Sequence, residues 1–139
     1  MKVIIGYGNE LRGEDGFGIE VIKKLQAYEH KDIKLITLFC LTPELILELL
    51  EADEVLFVDA CYDVENPYTF ACSLLKNGSN LSHHIEPQIL IALLREVYQK
   101  EIDYSIYSML TCNFEKIENT QKYHQSIDDL ASYLRDLFY

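Results

Sequence analysis

KVIIGYGNELRGEDGFGIEVIKKL, residues 2–25, reads as a strand, a glycine-rich loop and a helix. Lys2–Tyr7 is a short apolar run stopped by glycines, the pattern of a strand buried on both faces. From Gly16 onward Ile19, Val21, Ile22 and Leu25 form a helical stripe, with Glu20, Lys23 and Lys24 on the outer side. Between the two lie five glycines in residues 6–18. Glycine is used where a backbone must bend sharply or approach a partner closely.

The same alternation continues along the chain. Ile33–Phe39, Glu54–Ala60, Tyr68–Leu75 and Tyr104–Leu110 read as further strands. Thr42-Pro43-Glu44 opens a helix with a capping hydroxyl, a proline at the first helical position and an early carboxylate; this helix ends near Ala52. Pro87 opens another, Gln88 to Gln99, and a last amphipathic helix runs from about Gln121 to Phe138. Apolar strands alternating with helices predict an α/β fold: a single three-layer domain over residues 1–139, its mostly parallel five-stranded sheet covered by helices on both faces.

Composition narrows the function classes. The chain has 139 residues, 23 acidic and 12 basic, for a formal charge of −11. A nucleic-acid or anionic-membrane surface needs clustered Lys and Arg, so neither partner is expected. Apolar residues make up 49%, enough for a core, which excludes a disordered chain. The longest apolar run, Ile89 to Leu94, falls far short of the roughly 20 residues that span a bilayer. Cys40, Cys61, Cys72 and Cys112 form no CxxC pair, and no signal peptide is readable. A reduced, cytoplasmic protein is the expectation.

Ligands of open parallel sheets sit outside the carboxyl ends of the strands. Three groups fall there: Asp15 in the first loop, Asp59 closing the third strand, and the pair His83-His84 after the fourth. Asp15 also precedes a helix, where an N-cap role competes with a functional one. Asp59 ends an apolar strand, where a carboxylate faces either a crevice or a desolvation penalty. Two carboxylates and an imidazole make an O,O,N set suited to Zn, Mn, Ni or similar ions, and three ligands leave coordination positions open. A dinucleotide fingerprint is disfavoured, because its third glycine would stand at Leu11 and no acid closes the second strand. Cys61, two residues past Asp59, reads as a small apolar residue.

Gly6-x-Gly8-Asn9-x-Leu11-x-Gly13-Glu14-Asp15-Gly16-x-Gly18, then Val58-Asp59-Ala60, then Ser82-His83-His84-x-x-Pro87, resemble the motifs of the hydrogenase maturation proteases. Leu41-Thr42-Pro43-Glu44-Leu45 is also at home in that family, and the resemblance covers roughly residues 1–100. It implies an endopeptidase that trims the C-terminal extension of a nickel–iron hydrogenase large-subunit precursor. It further implies Asp15, Asp59 and His83 as the metal-binding and catalytic trio, with Glu14 and His84 as the neighbouring alternatives. Nickel would arrive with the substrate, leaving a monomer whose site is empty in isolation. Two stretches depart from the family pattern: 61–67 and 113–119 lack the glycines expected there. A binding module without catalysis and a nucleotide-binding domain are the competing readings.

Overall fold

The computed structural model describes residues 1–28, 30–63, 65–72, 85–111 and 113–139. Strands β1 (Lys2–Tyr7), β2 (Ile33–Leu38), β3 (Glu54–Tyr62), β4 (Phe70–Cys72) and β5 (Asp103–Thr111) form one sheet in the order β2-β1-β3-β5-β4. The first four in that order are parallel; β4, three residues long, runs antiparallel to β5 on the edge. The parallel body is therefore as expected, and the fifth member is reduced to a short antiparallel border. The expected fourth strand, Tyr68–Leu75, survives only as Phe70–Cys72, and residues 73–75 lie outside the described residues.

Period-two geometry explains why β1 reads as an unbroken apolar run. Ile4 points to one face, where Leu56, Val58 and Met109 meet helices α1 (Phe17–Leu25) and α3 (Thr120–Phe138) through Phe17, Val21, Ile22, Ile127 and Leu134. Val3 and Ile5 point to the other, where they join Val55, Phe57, Leu45, Leu49, Leu90 and Leu94. That second layer is made by α2 (Pro87–Tyr98) and a 3-10 helix, Pro43–Leu49. Each fully buried aliphatic side chain contributes about 1.5–3 kcal/mol, so the two layers carry the stability of the fold.

The Pro43–Leu49 segment was expected as a longer helix reaching Ala52. It winds tightly instead, and the Thr42 side chain makes no capping bond to the backbone. At the opposite end of the chain the cap is present: Asn119 Oδ1 accepts the Lys122 N–H at 3.0 Å and starts α3. Among the described residues no helix is long and apolar enough to cross a membrane.

One close approach sets the geometry of the first motif. A Cβ at Gly18 would stand 2.2 Å from the Val58 carbonyl oxygen and 2.9 Å from that of Tyr7. The first turn of α1 thus rests directly on β1 and β3, which only glycine permits.

Candidate active site

Strands β1 and β3 do not end together. Their last paired residues are Gly6 and Val58, after which β1 has one residue left and β3 continues to Tyr62 alongside β5. Asp59 is the first β3 residue past that point. It was expected to close the strand; the structure places it three residues before the end, opposite Ser108 of β5. The extension was hidden in the sequence because Cys61 and Tyr62 gain their strand pairing from Leu110 and Thr111, about 50 residues on.

The Asp59 carboxylate is held by two hydroxyl donors. Tyr7 Oη donates to Oδ2 at 2.8 Å, and Ser108 Oγ donates to Oδ1. Burial, and then the adjacent Asp59 carboxylate, push the Tyr7 phenol well above its ordinary pKa, so it stays protonated and remains a donor. Neither residue was foreseen as part of the site. Tyr7 follows a glycine at a strand end and Ser108 lies mid-strand, so neither carries a local signal.

Asp15 belongs to a 3-10 turn, Gly13–Gly16, that packs against β3. Gly8 has φ +144°, and a Cβ there would stand 2.0 Å from the Asp15 carbonyl oxygen and 3.6 Å from Oδ1. Asp15 Oδ2 accepts the Asn9 N–H at 3.0 Å. The capping alternative is not what the geometry shows: Gly16 is the N-cap of α1, and no side chain caps that helix. The carboxyl groups of Asp15 and Asp59 both lie against the Tyr7–Asn9 segment where β1 leaves the sheet.

Glu14, the neighbouring alternative to Asp15, is turned the other way and is fully buried. Its carboxyl oxygens accept hydrogen bonds from Thr111 Oγ1, Tyr68 Oη and the Glu118 N–H, the last at 3.1 Å. A carboxyl group committed to three internal donors is not a ligand for an incoming ion. His83 and His84 lie outside the described residues. Among the described residues no three His, Cys, Asp or Glu side chains are grouped to hold a metal. Asp15 and Asp59 nevertheless supply two hard oxygen donors on one sheet edge, a set that fits a divalent ion completed by a nitrogen ligand.

A hydrogenase maturation protease, HycI from Thermococcus kodakarensis KOD1, superposes with a TM-score of 0.77 over 97% of this chain and 90% of its own, at 21% identity. The chain has the fold of the hydrogenase maturation proteases. A hydrogenase 2 maturation peptidase from a Thaumarchaeota archaeon gives 0.69 at 15% identity, covering 99% of this chain and 97% of that one. The maturating endopeptidase HybD from E. coli also gives 0.69, at 14% identity and with 99% and 93% covered. No family model matches the chain, and no curated protein matches it in sequence. With identities this low, the likeness is one of fold.

Proposed function

We propose that this protein is a peptide-bond hydrolase that removes the C-terminal extension of a nickel-loaded hydrogenase large-subunit precursor. The observation that carries the proposal is the pair Asp15 and Asp59, brought to one edge of this fold where β3 outruns β1. Asp59 is aimed by Tyr7 and Ser108, and Asp15 by the Asn9 amide. His83, at its place in the sequence motif, would complete an O,O,N set that grips the nickel carried by the precursor.

Hydrolysis adds water across the scissile amide, and either carboxylate can take the proton that the water gives up. Substrate-borne nickel also explains selectivity. A precursor gains affinity for Asp15 and Asp59 only once its own metal is in place, so unfinished subunits are left uncut.

The test is to mix the protein with nickel-loaded and nickel-free precursor and weigh the products by mass spectrometry. The expected result is a shortened large subunit in the first mixture and an intact one in the second. A stable, uncut complex with the loaded precursor would instead mean a binding module. A rise in melting temperature with NAD or a nucleotide would move the assignment to a nucleotide-binding domain.

A further inference from the structure

We infer that Glu14 is the positioning residue for Asp15: its buried carboxyl group ties the Gly13–Gly16 turn to the end of β5 and to the 113–119 loop. This rests on Asp15 being a site residue, as proposed above. Glu14 has no exposed surface, and a buried carboxyl group is tolerated only where its acceptors are filled. The three donors come from three different parts of the chain: Thr111 at the end of β5, Tyr68 ahead of β4, and the Glu118 amide ahead of α3. All are neutral.

Burying a carboxyl group among neutral donors is a poor way to gain stability, since an apolar side chain of similar volume would do as well or better. What three directional bonds do provide is a fixed position. The surroundings are built to the same end. The Tyr68 oxygen also accepts the Asn119 N–H at 2.8 Å. Tyr68 itself sits at φ +65°, a costly backbone for tyrosine, with its N–H on the Leu110 carbonyl at 2.7 Å. Gly13 has φ +55°, and a Cβ there would fall 2.5 Å from the Lys116 backbone.

The turn is therefore locked at two consecutive residues, Gly13 from outside and Glu14 from inside, and Asp15 comes next. This gives the 113–119 stretch, which lacks the expected glycine, a task of its own. It supplies the Glu118 amide to Glu14 and the Lys116 backbone to Gly13.

The experiment uses Glu14→Gln, which keeps the shape but turns an N–H group toward donors, together with Tyr68→Phe and the pair Thr111→Val and Thr111→Ser. Two quantities are read: exchange of the Asn9 amide, which reports the Asp15 carboxylate, and kcat and KM for cleavage of the nickel-loaded precursor. Glu14→Gln should lower Asn9 protection at least about tenfold while the β3 amides of Val55–Val58 keep theirs. It should also lower kcat by about 10- to 100-fold with KM unchanged within about twofold, the signature of a misplaced catalytic group. Tyr68→Phe and Thr111→Val should move both quantities the same way by less, and Thr111→Ser, which keeps the hydroxyl, should restore them. If Glu14→Gln fails to fold, Tyr68→Phe carries the test. Unchanged Asn9 protection, or lost stability with kcat intact, overturns the inference. Wild-type protein that leaves loaded precursor uncut overturns the protease reading alone, and the Asn9 amide still decides the positioning.

Discussion

Asp53 at the amino end of the sheet and Glu14 and Asp59 at the carboxyl end are held differently. At the amino end Asp53 pairs with the N-terminal amine of Met1 at 2.5 Å, and both groups are in water. Other acids away from the site, such as Glu48 with Lys34 and Asp128 with Lys24, also pair with cations on the surface. At the carboxyl end Glu14 and Asp59 accept hydrogen bonds from hydroxyl and amide donors. An exposed ion pair is worth little and is easily replaced. Directional hydroxyl and amide donors fix where a carboxyl group sits, which a pair of mobile side chains in water does not.

The sharpest break of that contrast is at the proposed site. Asp59→Asn and Asp15→Asn should each lower cleavage of the nickel-loaded precursor by about 100-fold or more, with melting temperatures close to wild type, as read by mass spectrometry and calorimetry. Next comes Glu14→Ala, which leaves the buried Thr111 hydroxyl, the Tyr68 hydroxyl and the Glu118 amide without their acceptor and should cost about 1–3 kcal/mol in urea unfolding. A smaller effect is expected of Tyr7→Phe. Because the folded-state pKa of Tyr7 is raised, its contribution is complete below the unfolded value of about 10 and is lost as pH climbs past it. The melting temperature of Tyr7→Phe should therefore fall less steeply than wild type between about pH 9.5 and 11. Last, Asp53→Asn at the amino end should leave cleavage unchanged and shift the melting temperature by no more than about 1 °C. A large effect there would erase the contrast.

Much of this was legible in the residue pattern. Val3, Ile4 and Ile5 in succession required a strand buried on both faces, and the stripe Ile19, Ile22, Leu25 required a helix laid over it. Sheet-end logic then put Asp15 and Asp59 on one edge. What escaped was tertiary. Glu14 and Asp15 are adjacent acids with the same local credentials, and Thr111, Tyr68 and Glu118, 97, 54 and 104 residues away, hold Glu14 inward. The continuation of β3 through Cys61 and Tyr62 depends on β5 in the same way. Tyr68 resembled a strand residue because tyrosine favours strands, yet its φ of +65° belongs to a turn.

The unequal lengths of β1 and β3 have one more consequence. A site carved by stopping one strand early needs no hollow in the interior, so both apolar layers stay filled while the rim alone is specialised. Glu14 is where the two meet, a buried residue that ties the rim to the end of β5. The 113–119 stretch belongs to that rim: its Glu118 amide and Lys116 backbone hold the Gly13–Gly16 turn, so a change there reaches Asp15 before it reaches either apolar layer.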